Sequence, residues 1–228
     1  VLFRSAIRLL ERIGYEVIIP DHEESGRTWL SKGLLREAQK RVHRNLEKLV
    51  PLISEATPLI GIEPSAILTL RDEYVDLAHE EWYEKARQLA KHVYTLEEFL
   101  AAELEKGILR KEWFTSETMH IKLHGHCQQK ALSSMDPTLK LLSFPENYKV
   151  ELIPSGCCGM AGSFGYEKEH FELSMKIGEL VLFPAVRNAG IDVVIAAPGT
   201  SCRHQVKDGT GKRALHPVEI LYDAFLFQ

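Results

Sequence analysis

The chain is 228 residues long, 45% hydrophobic and 26% charged, with a formal net charge of −4. That length and apolar content suit one ordinary core or two small ones. The weak acidity, with no Lys/Arg run interleaved with aromatics, excludes a nucleic-acid-binding surface. No apolar run reaches the ~18–20 residues of a membrane span, and none reads as a secretory signal. The first residue is Val1 instead of Met, as expected of a fragment or a processed chain.

In chain order, a helical pattern over 6–13 precedes a β-branched run at 16–20 (EVIIP) and a long helical pattern over 34–54. In the latter, Ala38, Val42, Leu46 and Leu49 form one apolar stripe, so the basic residues between 36 and 48 read as a solvated helix face. A second run, 58–62 (PLIGI), leads to a charged helical stretch over 84–105. Three further runs follow, 120–124 (HIKLH), 149–154 (KVELIP) and 192–198 (DVVIAAP), with helical patterns over 130–142, 167–188 and 217–227. Each run reads as a buried strand, and the alternation predicts an α/β fold with mainly parallel sheets.

An internal repeat organises these elements. Residues 14–20 (GYEVIIP) have a counterpart in 147–154 (NYKVELIP). Glu24-Ser25-Gly26-Arg27 aligns with Cys157-Cys158-Gly159-Met160, and Glu63-Pro64-Ser65-Ala66 aligns with Gly199-Thr200-Ser201-Cys202. The spacing agrees closely, 41 residues from Ser25 to Ala66 and 44 from Cys158 to Cys202. The repeat predicts two tandem units, 1–83 and 117–228, joined by a helical segment over 84–116. It also predicts a strand upstream of Val1, because the first unit opens directly on its helix.

All four cysteines fall between 127 and 202, and each follows the carboxyl end of a predicted strand. In open parallel sheets such ends converge on one crevice, so ligands far apart in sequence become neighbours. A disulfide framework suits small secreted domains better than this chain, and a lone buried cysteine is usually only a small hydrophobe. Four at successive strand ends, with Cys157-Cys158 in a glycine-rich loop, point to metal or redox chemistry. Cys127 and Cys158 are each expected just before a helix, whose dipole favours thiolate. Lys130, Arg203 and His204 are candidates to offset thiolate charge. His124 and His126 are candidate ligands, outer partners or plain loop histidines, and His216 reads as a helix N-terminal residue. On the residues alone an iron–sulfur cluster, a zinc ion and a cycling vicinal thiol pair all stay open.

At Cys127, Cys157-Cys158-Gly159 and Cys202 the chain resembles the cysteine-rich "CCG" domain. That domain occurs in heterodisulfide reductase B-type subunits, glycolate and lactate oxidase iron–sulfur subunits, and the C-terminal part of large FAD-linked oxidases. The stretches HGHCQQKAL, SGCCGMAGSFGYEKEH, GELVLFPAVR, PGTSCRHQVKDGTGKRALHP, SGRTWLSKGLL and EPSAILTLRDEY are most similar to the FAD-linked oxidase branch, over essentially the whole chain.

The resemblance implies an electron-transfer module of a FAD-dependent 2-hydroxy-acid oxidoreductase of the D-lactate or glycolate type. It implies a FAD-binding domain and a ferredoxin-like domain elsewhere in the full protein, and a quinone, cytochrome or disulfide as acceptor. Cys127, Cys157, Cys158 and Cys202 match the first four positions of the family's C…CC…C-x-x-C pattern, and Gln205 occupies the fifth. Four thiolates then remain, enough for one [4Fe–4S] cluster or a tetrahedral zinc. His124, His126, Gly159, Arg203, His204 and Gln205 are the expected outer partners. The first unit has Glu24-Ser25 and Ala66 where the family carries cysteines, so it is expected to bind no cluster. The chain alone is expected not to turn over substrate, and its expected location is the cytoplasm or, through partners, the inner-membrane surface.

Overall fold

A computed structural model describes residues 2–226. The chain divides into two compact units, Ile18–Thr95 and the remainder, Val1–Val17 with Leu96–Gln228. These bounds differ from the segments drawn on the repeat. The expected linking helix over 84–105 is two helices in different units, with a short strand between them.

Helix α1 (Leu2–Arg12) belongs to the larger unit. The smaller unit then contains α2 (Arg27–Ser31), α3 (Leu35–Leu49), β1 (Leu59–Gly61), α4 (Pro64–Arg71), α5 (Glu73–Leu77), α6 (Glu80–Ala90) and β2 (Val93–Thr95). Its strands pair in parallel, Leu59 opposite Val93. The stripe Ala38, Val42, Leu46 and Leu49 on α3 is buried, at about 2 kcal/mol for each of the larger side chains. Asn45 lies among these buried residues. It accepts from the Glu23 N–H at 2.8 Å and donates to the Tyr74 hydroxyl at 2.8 Å.

The run at 16–20 forms no strand, and Ile18 and Ile19 are 64% and 62% exposed. β-branched residues favour a pleated surface only where a neighbouring strand supplies the ladder, and among the described residues none pairs there. The repeat therefore holds in sequence at this point and not in secondary structure, since its counterpart 148–152 is a strand.

The larger unit continues with α7 (Leu96–Glu105), β3 (Met119–Leu123), α8 (Cys127–Leu132), α9 (Asp136–Leu142), β4 (Tyr148–Leu152), α10 (Phe171–Leu180), α11 (Leu182–Arg187), β5 (Val193–Ala196), α12 (Thr200–Thr210), β6 (Ala214–Leu215) and α13 (Pro217–Ala224). Residue 227, the expected end of the last helix, lies outside the described residues. The four strands form a parallel sheet in the order β4-β3-β5-β6. Ile121 and Leu123 are buried while Lys122 between them is only partly buried and His120 is exposed, so the alternation of β3 turns one face to the core.

Two expected helices are interrupted. The pattern over 167–188 breaks at Val181, because Pro184 has no N–H to donate to the Leu180 carbonyl. The pattern over 130–142 breaks at Ser133, before a new helix that starts with Asp136 and Pro137. Phe183 on α11 is fully buried, and its ring fills the space that a side chain would need at Gly178 of α10 and Gly209 of α12. An added Cβ would lie 2.3 Å and 2.2 Å from it. These three helices therefore lock around one ring, and Ile153, Cys158, Met160, Ile195, Cys202 and Val206 share its core. No helix among the described residues is long and apolar enough to cross a membrane.

Candidate metal centre

Because β3, β4 and β5 run parallel and adjacent, the segments leaving their carboxyl ends lie side by side. Pairing extends past the strands: His124 N–H donates to the Ala196 carbonyl and Ile153 N–H to the Leu123 carbonyl, both at 2.8 Å. Cys127 then opens α8, Cys157 and Cys158 sit in the loop after β4, and Cys202 lies in the first turn of α12. Cys127 and Cys157 are half-buried, whereas Cys158 and Cys202 are buried in the apolar core.

The four sulfurs lie close enough for each to shift the titration of the next. The Cys127 thiol is pushed up, first by its hydrogen bond to Cys157 and then by burial. Cys157 is held low by the hydrogen bonds from Cys127 and Cys158, against burial, with further help from the N–H groups of Gly159 and Ala161. Cys158 is pushed up by its bonds to Cys157 and Cys202 and by burial. Cys202 is held well below its ordinary value, first by Cys158 and then by His124, against burial. The shifts thus run alternately up and down along Cys127, Cys157, Cys158 and Cys202, and His124 stands beside the last of them.

The loop geometry explains how Cys157 is held. Gly159 N–H donates to Cys157 Sγ at 3.3 Å. Gly159 has φ +102°, and a Cβ on it would lie 2.2 Å from the Ser174 carbonyl oxygen, so no other residue fits. Ala161 adopts φ +40°, an uncommon conformation for a residue with a Cβ. Positive-φ turns of this kind direct successive N–H groups toward one anion.

Several expected roles change. Cys158 does not precede a helix; α10 starts only at Phe171, and the N–H groups of Gly159 and Ala161 favour Cys157 instead. The cysteine inside a long helix's first turn is Cys202, on an α12 that hydropathy patterning does not predict. Lys130 donates to the carbonyls of Ser155 and Gly156 at 2.7 and 2.6 Å, and Arg203 to those of Ala197 and Pro198 at 3.0 and 2.6 Å. Both cations brace the cysteine loops through the main chain. His204 Nδ1 lies 2.8 Å from the Tyr166 hydroxyl. Gln205 is buried and donates to Ser174 O and Oγ at 3.1 and 3.0 Å. His126 is buried against the loop before α12: a Cβ on Gly199 would lie 2.3 Å from His126 Cδ2 and 3.2 Å from Cys202 Sγ. His216 caps α13, accepting from the Val218 N–H at 3.1 Å while its own N–H donates to Glu219 at 2.9 Å.

Three partners carry no sequence signal. Ser155 meets His124 Nδ1 at 2.7 Å, Ser174 anchors Gln205, and Tyr166 meets His204. A serine or tyrosine at these distances along the chain is ordinary until the fold brings it near. A ring nitrogen of His124 and the Sγ atoms of Cys158 and Cys202 lie within 4.8 Å of one another. The donor set fits a thiophilic metal: four cysteines free of disulfides beside a buried histidine.

No protein-family model matches the chain, and no solved structure does. Among curated proteins it is similar to D-2-hydroxyglutarate dehydrogenase of Escherichia coli (strain K12), with 30% identity over 95% of this chain and 20% of that protein. A subunit of the anaerobic glycerol-3-phosphate dehydrogenase of the same strain is 25% identical over 98% of this chain and 55% of its own length. Lactate utilization protein A of Bacillus subtilis (strain 168) is 25% identical over 96% of this chain and 91% of its own length. The chain thus spans about a fifth of the first relative and about half of the second.

Proposed function

We propose that this chain is an electron-transfer module of a FAD-dependent 2-hydroxy-acid oxidoreductase of the D-lactate or glycolate type, in which Cys127, Cys157, Cys158 and Cys202 hold one [4Fe–4S] cluster. The observation that carries this reading is the continuous series of four sulfurs drawn from three neighbouring strand ends. Relatives named as dehydrogenases, a dehydrogenase subunit and a lactate utilization protein support it.

When bound, a cluster supplies a one-electron carrier. The chain's own residues prepare its surroundings. Gly159 and Ala161 turn N–H groups on Cys157, and Met160, Phe183 and Val206 share the apolar core that holds Cys158 and Cys202. Half-buried Cys127 and Cys157 form the side nearer solvent. Thiolate number, hydrogen bonds to sulfur and burial are the levers that tune such a centre's potential.

In the full protein this reading places a FAD-binding domain and a ferredoxin-like domain before the module, and a quinone, cytochrome or disulfide after it. Residues 1–83 are a degenerate copy of 117–228, joined through 84–116. In support, Glu63-Pro64-Ser65-Ala66 and Gly199-Thr200-Ser201-Cys202 each carry a strand into a helix.

Metal and sulfide analysis of anaerobically purified protein, with its visible spectrum, tests the proposal. The expected result is brown protein with about four iron and four sulfide per chain. Zinc without sulfide would make this a structural metal site. Protein that holds neither metal, even after anaerobic reconstitution, would leave the Cys157-Cys158 pair as the chemistry to explain.

A further inference from the structure

His124 is fully buried. Its Nδ1 lies 2.7 Å from Ser155 Oγ, and that hydroxyl donates to the Ile153 carbonyl at 3.5 Å. A hydroxyl has one proton to give. In the tautomer that carries the proton on Nδ1, Ser155 Oγ accepts the Nδ1–H of His124, and Nε2 carries the ring's lone pair. Nε2 is shut off from solvent and makes no well-formed hydrogen bond among the described residues. A buried nitrogen with an unused lone pair is uncommon in folded proteins and calls for a specific reason.

The neighbours supply that reason. A ring nitrogen of His124 and the sulfurs of Cys158 and Cys202 lie mutually within 4.8 Å. Donor atoms around a tetrahedral thiolate–imidazole ion stand about 3.5–3.8 Å apart, given bond lengths of about 2.0 Å to nitrogen and 2.3 Å to sulfur. Small side-chain shifts would close the difference. A histidine that ligates through one nitrogen characteristically fixes its tautomer by donating the other N–H to an outer partner, as Ser155 provides here.

We propose that His124 is a direct ligand of the metal centre through Nε2. With Cys158 and Cys202 it forms the buried side of a mixed nitrogen–sulfur site, whose remaining donors are the half-buried Cys157 and Cys127. The inference rests on the metal reading above and adds a nitrogen donor to it.

X-ray absorption at the zinc edge, on the intact chain loaded with zinc, is the deciding measurement. The expected shell has one nitrogen at about 2.0 Å beside sulfurs at about 2.3 Å. His124→Ala should lose the nitrogen and bind zinc at least 10-fold more weakly. Ser155→Ala, which keeps the ring and removes only its anchor, should weaken binding about 10–100-fold. An all-sulfur shell in the unaltered chain overturns the proposal, whatever the variants do. So does a nitrogen that persists in His124→Ala at unchanged affinity, which would assign it to His126. An all-sulfur shell in protein that still assembles an iron–sulfur cluster sinks the histidine ligand alone. A nitrogen-bearing shell in protein that retains no iron or sulfide sinks the electron-transfer reading alone.

Discussion

Two pairs of aligned segments follow the same path to different ends. Glu24-Ser25-Gly26-Arg27 aligns with Cys157-Cys158-Gly159-Met160, and the junction from β1 into α4 aligns with that from β5 into α12. In the smaller unit several polar groups of these segments find partners close at hand. Gly26 N–H donates to Glu24 at 3.0 Å, Arg27 N–H to Ser25 Oγ at 3.3 Å, and Ser65 Oγ to Glu63 at 2.9 Å, while Arg27 pairs with Glu73. In the larger unit the Gly159 N–H turns on the sulfur of Cys157, and the sulfurs have one another and His124 as neighbours. The same turn chemistry can close a structure or hold a reactive centre. Which one results depends on whether the acceptors have capacity left for a further ligand.

The largest expected effect separates the two junctions. Cys202→Ser should weaken cobalt(II) binding about 1,000-fold, more than the 10–100-fold cost of losing an outer partner, whereas Ser65→Ala should leave it unchanged. Equal titration curves for the two variants would erase the distinction. Next come the aligned glycines, read by urea unfolding. Gly159→Ala should cost about 3 kcal/mol, since it adds a backbone clash to a positive φ. Gly26→Ala has φ +82° but no atom nearer than 3.5 Å to the new Cβ, and should cost about 1 kcal/mol.

Removing Asn45 tests whether the smaller unit is structural alone. Asn45→Ala strands the Glu23 N–H and the Tyr74 hydroxyl, and should cost about 2 kcal/mol with no change in metal content. The smallest effect concerns Ala161. Replacing it by glycine should relieve the left-handed backbone and raise the unfolding free energy by about 1 kcal/mol. No gain would mean that the N–H groups of this loop are held by something other than its own turn.

The parallel strands at 119–123, 148–152 and 193–196 are legible because both their period and their β-branched content match a buried sheet. The run at 16–20 has the same composition and no strand, because composition cannot report whether a neighbour is present to pair with. The breaks at Val181 and Ser133 are local events inside patterns that otherwise continue. The short β2 at 93–95 is hidden within a helical charge pattern. At the site, the cysteines and histidines are conspicuous by type. The partners of His124, Gln205 and His204 are not, because they lie 31, 31 and 38 residues away along the chain.

The order of the strands also has a consequence in time. β3 is flanked by β4 and β5, so the segment carrying His124 and Cys127 gains its neighbours only once both strands have docked against it. Apart from the adjacent pair, the cysteines stand 30 and 44 residues apart, and such non-local pairings form late. A nascent chain has little with which to capture a metal before its sheet is built. A metal held at the proposed site would therefore enter a scaffold already folded, with the half-buried side at Cys127 and Cys157 as its entrance.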